Sequence, residues 1–136
     1  MKEHIKSDFP FESRYVKVYG SKMHYIDENV REGSDRTTFI LLHGNPSSNY
    51  LWRNIISELA KEGRVIAPDL IGFGKSDRPQ IDYKVFTHAK YIEEFINILK
   101  LDNIIFALHN LGAAIVLHYA GRYESKIKGL LLWNFI

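Results

Sequence analysis

Apolar positions along this chain recur with two different periods, and the switches between them outline alternating strands and helices. Thr38-Phe39-Ile40-Leu41-Leu42 is a continuous apolar run, the pattern of a strand covered on both faces. Val65-Ile66-Ala67 and the stretch from Ile104 to His109 repeat it. Between these runs, Leu51, Trp52, Ile55, Ile56 and Leu59 fall at helical spacing, which predicts a helix over 49–61 ended by Gly63. Tyr91, Ile92, Phe95, Ile96 and Leu99 form the stripe of a second helix over 87–99. A helix over 113–123 and an apolar strand over 127–133 complete the series. Such alternation predicts an α/β fold with a mainly parallel sheet flanked by helices.

Ahead of that series, residues 15–19 and 22–27 read as a hairpin joined at Gly20-Ser21. Residues 1–14, with Phe9-Pro10-Phe11, read as an arm laid on the domain, and 28–36 as a polar surface loop. Neither an internal repeat nor a low-complexity linker interrupts the chain. A single domain over 1–136 is therefore expected.

In open α/β sheets, function collects at the carboxyl ends of the strands. Three loops qualify here: 43–48, 69–77 and 109–112. The last is the most informative, because Ile104 to Gly112 reads as a buried strand entering a sharp turn, with Ala113-Ala114 opening a helix. That outline is a nucleophile elbow, which holds a reactive side chain at a strand tip near backbone N–H groups. Asn110 occupies the tip. A neutral amide is a poor nucleophile, since its nitrogen lone pair is delocalised and its oxygen carries no full charge. The N–H groups of Asn45 and Leu111 are candidates for an oxyanion hole, with the Asn45 side chain as a further donor to an anion.

Composition narrows the classes of function. The 136 residues are 46% hydrophobic and 25% charged, which suits a soluble globular domain with a sizeable core. A net charge of +2, spread without a long Lys/Arg run, implies neither a nucleic-acid nor a membrane-surface partner. The chain has no cysteine, which excludes disulfides, thiolate zinc sites and thiol catalysis. Met1-Lys2-Glu3-His4 opens no apolar signal region, and no apolar run reaches the roughly 18 residues of a membrane span, so a cytoplasmic location is the default expectation.

Two tempting motifs resolve to ordinary roles. Gly72-Phe73-Gly74-Lys75-Ser76 lacks the spacing of a phosphate loop: a Walker A sequence needs glycine where Asp69 stands, and a dinucleotide fingerprint needs one at Asp77. These glycines read as turn residues. The histidines His4, His24, His43, His88, His109 and His118 form no HExxH or comparable cluster, so no metal and no cofactor is expected. His43 and His109, each just before a strand-end turn, read as structural imidazoles rather than general bases.

At this point four runs carry a resemblance. Phe9-Pro10-Phe11-Glu12-Ser13-Arg14-Tyr15-Val16, Leu42-His43-Gly44-Asn45-Pro46-Ser47-Ser48, Tyr50-Leu51-Trp52-Arg53-Asn54-Ile55-Ile56 and Ala67-Pro68-Asp69-Leu70-Ile71-Gly72-Phe73-Gly74-Lys75-Ser76-Asp77 strongly resemble haloalkane dehalogenases of the α/β-hydrolase fold. Epoxide hydrolases and coelenterazine luciferases of the same branch share parts of these runs less closely. The resemblance implies a partial α/β-hydrolase fold lacking the cap domain and the C-terminal strands. It also implies a mechanism in which an elbow Asp attacks the halogen-bearing carbon and a His-activated water hydrolyses the resulting ester. An Asn and a Trp hold the halide, and a carboxylate orients the His.

Carried onto this sequence, the nucleophile position is Asn110, the halide pair is Asn45 and Leu111, and the acid position is Asn134. Only Asn45 keeps the family's residue. No histidine of this chain falls at the position of the family's base. Groups that act as a unit lose nearly all activity together, and a lost oxyanion-type donor costs ~3 kcal/mol. The expectation is therefore a truncated, catalytically inactive dehalogenase-like core, a pseudoenzyme that retains room for a small halogenated or apolar ligand. Two alternatives are part of a functional hydrolase, truncated or carrying an Asp-to-Asn change, and a non-catalytic binding or assembly protein that self-associates through a sheet edge at 127–133.

Overall fold

The computed structural model describes residues 9–29 and 36–133, and for Trp133 the backbone alone. The expected acid position, Asn134, lies outside the described residues, as do most of the 28–36 loop and the first part of the arm. Strands β1 (Arg14–Val18) and β2 (Ser21–Glu28) form the hairpin. Val18 pairs with Ser21, so the turn is Tyr19-Gly20, one residue earlier than expected. Both turn residues have positive φ, 50° and 80°, as the two-residue hairpin turn that matches strand twist requires.

After the hairpin come β3 (Thr38–Leu42), α1 (Ile56–Leu59), β4 (Arg64–Pro68), α2 (Val85–Ile98), β5 (Ile104–His109), α3 (Leu111–Ala120) and β6 (Ile127–Trp133). The sheet order is β1-β2-β4-β3-β5-β6. β1, β2 and β4 pair antiparallel, and β4, β3, β5 and β6 pair parallel, which is the mainly parallel α/β sheet expected.

Strand alternation divides the core in two. Ile40 and Leu42 of β3 join Ile104, Phe106 and Leu108 of β5 on the face covered by α2 and α3. Phe39 and Leu41 join Val65, Ala67 and Ala107 on the opposite face, against Trp52 and Ile56. Successive side chains of a strand point to opposite faces, so burial on both faces produces the unbroken apolar runs read from the sequence.

One expected helix is broken. Residues 49–61 form a 3-10 turn, Asn49–Trp52, then an irregular stretch and the single α-turn of α1. The turns here close i to i−3, Arg53 N–H on the Tyr50 carbonyl and Ile55 N–H on the Trp52 carbonyl, and Asn49 at the start is pinned by its backbone N–H and side chain to the Asp69 carboxylate and the Ala67 carbonyl, at 2.7 and 2.9 Å. That pinning orients the entry, and Leu51 of the expected stripe is left exposed. α2 keeps its stripe, with Tyr91, Ile92, Phe95 and Ile96 buried. α3 starts at Leu111, directly after the elbow, two residues earlier than expected.

Candidate active site

The elbow is built as the strand-turn-helix pattern predicts. β5 ends at His109, Asn110 has φ 52° and ψ −115°, and α3 begins at the next residue. That conformation is sparsely populated for a residue with a Cβ and costs on the order of 1–3 kcal/mol, so surrounding packing must impose it. Two glycines do so. A Cβ on Gly112 would lie 2.7 Å from the Leu42 carbonyl oxygen, so only glycine lets α3 seat against β3. A Cβ on Gly44 would lie 2.6 Å from the Asn110 Cβ and 2.8 Å from His109 Nδ1. Loop 43–48 is thereby pressed against the elbow, and Asn45, exposed and joined to Pro46 by a cis peptide bond, follows the point of contact.

The donor expected at Leu111 is engaged locally. Its backbone N–H donates to Asn110 Oδ1 at 2.8 Å, so the amide at the elbow tip caps its own helix. The bond reaches the first helical N–H rather than the second or third that a capping side chain ordinarily takes, and it occupies an N–H that an anion would otherwise meet. An open groove of about 790 Å³ lies nearby on loop 72–83, lined by Phe73, Arg78, Ile81 and Tyr83 among others; Asn45, Asn110 and Leu111 do not line it.

His43 has the structural role expected. Fully buried, it donates from Nδ1 to the Gly44 carbonyl (2.7 Å) and accepts the Leu70 N–H at Nε2 (3.0 Å), which defines a neutral tautomer with neither nitrogen free for base chemistry. His109, also read as a structural imidazole, is half-buried, and its Nδ1 has no hydrogen-bond partner among the described residues. Among the described residues no group of His, Asp and Glu is placed to hold a metal ion, and no helix is long and apolar enough to cross a membrane.

Sequence reasoning missed the polar network that holds the neighbouring loop. Asp69, at the end of β4, accepts from His24 Nδ1 (2.7 Å), the Asn49 N–H (2.7 Å) and the Lys75 N–H (3.0 Å). His24 Nε2 meets the Ser13 hydroxyl at 2.8 Å, and Ser76 accepts the His24 N–H and donates to the Asp69 carbonyl. Burial by itself raises the Asp69 carboxyl, but the hydrogen bonds from His24, Asn49 and Lys75 outweigh it and hold the group below its ordinary 3.8. Gly74, at φ 52°, packs directly on this carboxylate, where a Cβ would come within 2.3 Å of Asp69 Cγ. The glycines of this loop serve the turn, as expected. The one available signal was a histidine set between Met23 and Tyr25-Ile26 in β2, which must find a partner when buried.

A second buried histidine lacks that compensation. Neither ring nitrogen of His88 has a hydrogen-bond partner among the described residues, although the residue is 1% exposed and flanked by the rings of Phe73 and Tyr83. Burial, with His43 as neighbour, holds His88 below the ordinary imidazole value of 6.5. Burial also lowers His43, against the raising effects of the Gly44 carbonyl and Asp69. Both are neutral in the folded chain, while the unfolded chain takes up protons as pH falls below 6.5. Their contribution is therefore present above 6.5 and lost as pH drops toward their folded values. The thermal midpoint should fall as pH is lowered from about 7 to about 5, with a shallower slope in His88→Leu. Parallel slopes for the two proteins in a pH series of melts would place the acid sensitivity elsewhere.

With this geometry in place, comparison with known proteins is direct. Residues 37–134 match the family model for the alpha/beta hydrolase fold. The chain belongs to the α/β-hydrolase fold family. Within it, the similarity is to haloalkane dehalogenases: the enzyme of Mesorhizobium japonicum is 38% identical over 121 residues, covering 89% of this chain and 38% of that protein. The haloalkane dehalogenase of Bradyrhizobium diazoefficiens is 36% identical over 92% of this chain and 39% of its own length. Among solved structures, haloalkane dehalogenase DbeA from Bradyrhizobium elkani superposes with a TM-score of 0.85 at 36% identity, covering 93% of this chain and 42% of that one. The chain thus spans about two fifths of the length of the curated relatives it matches.

Proposed function

We propose that this chain is a haloalkane dehalogenase-like core that does not turn over haloalkanes as it stands. The observation that carries the reading is the hydrogen bond from the Leu111 N–H to Asn110 Oδ1. At the tip where the resemblance places a nucleophilic carboxylate, the side chain is a neutral amide serving as a helix cap. Its oxygen shares its electron density with the helix terminus, and its nitrogen lone pair is delocalised, so neither atom can displace a halide from carbon. Leu111 brings no side-chain N–H to the halide position, which leaves Asn45 as the retained halide-binding residue. Binding of a small halogenated or apolar ligand without turnover is the activity left to such a site.

Halide release from 1-bromoalkanes, followed by ion chromatography, tests this. No release above the buffer background is expected. Release that scales with protein concentration and disappears in Asn45→Ala would overturn the reading.

A second reading is that the chain contributes one part of a catalytic hydrolase, its remaining strands supplied by further polypeptide. The exposure of Leu130, Leu131 and Leu132, 40 to 52%, on edge strand β6 favours it, because consecutive leucines leave apolar surface on both faces of the sheet edge. An open reading frame that continues past codon 136 and encodes a further histidine supports this second reading, and an in-frame stop there removes it.

A further inference from the structure

We propose that Asn110 is a self-modification site, at which the elbow drives the side-chain amide to cyclise onto the Leu111 backbone nitrogen and then to hydrolyse to a carboxylate. The argument starts from the backbone. In an L-residue the Cα substituents N and Cβ sit about 120° apart in projection along the Cα–C bond, so a ψ of −115° brings the next peptide nitrogen almost into eclipse with Cβ. The five-membered imide ring contains that nitrogen together with C, Cα, Cβ and Cγ of Asn110, and it closes only near this eclipse. An asparagine in an ordinary helix or strand holds the nitrogen about 80° or 105° away and must rotate before it can react.

Three further observations converge on the same atoms. Asn110 Oδ1 accepts the Leu111 N–H at 2.8 Å, so Cγ is already folded over the nitrogen that attacks it. The turn cannot easily relax, because Gly112 packs on the Leu42 carbonyl, Gly44 packs on the Asn110 Cβ, and the Ala113 N–H bonds the Asn110 carbonyl at 3.0 Å. Beside it, the buried Nδ1 of His109 has no hydrogen-bond partner among the described residues and packs on the same point of Gly44 as the Asn110 Cβ. In the proposed step it relays the proton.

The step balances with water as co-reactant. The Leu111 nitrogen bonds to Cγ, its proton passes through His109 to the departing amide, the Cγ–Nδ2 bond breaks and ammonia leaves. Water then opens the imide. Attack at Cγ restores the peptide and gives aspartate; attack at the Asn110 carbonyl carbon gives isoaspartate. Aspartate formed this way would place an anionic oxygen at the elbow tip, a consequence whose catalytic meaning rests on the proposed function above. The modification itself does not depend on that reading.

The test is kept independent of activity. The purified chain is incubated at neutral pH in water enriched in heavy oxygen, and the peptide containing Asn110 is followed by mass spectrometry. The same chain in denaturant and its other asparagines serve as references. Because the fold holds the reacting atoms in position, label should enter Asn110 at least about tenfold faster in the folded than in the denatured chain. Equal or slower entry in the folded chain overturns the proposal. His109→Gln, with its fold checked by near-UV circular dichroism, should slow the folded rate and leave the denatured rate unchanged; an unchanged folded rate removes His109 from the mechanism.

Discussion

Replacing Asp69 with alanine should lower the unfolding free energy by about 3–5 kcal/mol, because three donors lose the buried carboxylate that accepts from them. The carboxylate is 1% exposed and gathers three donors from three parts of the chain: His24 of β2, the Asn49 N–H that opens the 3-10 turn, and the Lys75 N–H of the following loop. Without it, His24 loses its buried partner and two N–H groups are left facing a void, each costing about 1–3 kcal/mol if it stays dry. Asp69→Asn keeps an acceptor for one or two of those donors but turns an amide nitrogen toward the rest, so an intermediate loss is expected. Urea denaturation of the three proteins checks the order. An alanine variant within about 1 kcal/mol of the parent would show that water replaces the carboxylate, and that the network is not what holds loop 69–77.

The second large effect is expected at Phe106. It lies at the centre of β5, fully buried, paired with Ile40 on one side and Leu130 on the other, with its ring edge-on to Tyr119 of α3 at 5.8 Å. Truncation to alanine removes the ring and leaves a cavity between the strand and the helix that flank the elbow. A loss of about 3–5 kcal/mol is expected from transfer and cavity terms together. Leu or Met at the same position should recover more than half of it by refilling the volume. The check is again denaturant unfolding; an alanine variant as stable as Phe106→Leu would mean that α3 collapses onto β5. Phe106 is four residues from Asn110, so a loosened β5–α3 contact should also relax the Asn110 backbone.

Both effects concern residues whose importance the sequence displayed unequally. Phe106 stands in a short apolar run bounded by turn residues, which at that length reads as a doubly covered strand. Asp69 stood in a Pro-Asp dipeptide at a strand end, a common turn sequence, and nothing local to it announced His24, 45 residues away. Asn110 was conspicuous for the opposite reason: the strand, the small residues after it and the glycine at 112 all described an elbow, and the residue at the tip did not fit the chemistry of one. Residues 49–61 misled because Leu51, Trp52, Ile55, Ile56 and Leu59 carry a sound helical period, while the chain there turns by i to i−3 bonds and its first residue is held by Asp69 and Ala67 across the fold.

The sequence by itself determined the parallel core, the two-sided burial of β3, β4 and β5, the elbow and the identity of the residue at its tip. Those features rest on periodicity and on local turn chemistry, both of which are properties of neighbours along the chain. Only the tertiary structure decided that the Leu111 N–H is spent on the Asn110 side chain, that His43 is locked as a neutral imidazole while His88 is buried with no hydrogen-bond partner among the described residues, and that Asp69 is the anchor of the loops beside the site. Each of these depends on distances between groups from separate strands and loops. Hydrogen bonds and burial are settled by those distances, to within tenths of an ångström, and a linear pattern does not encode them.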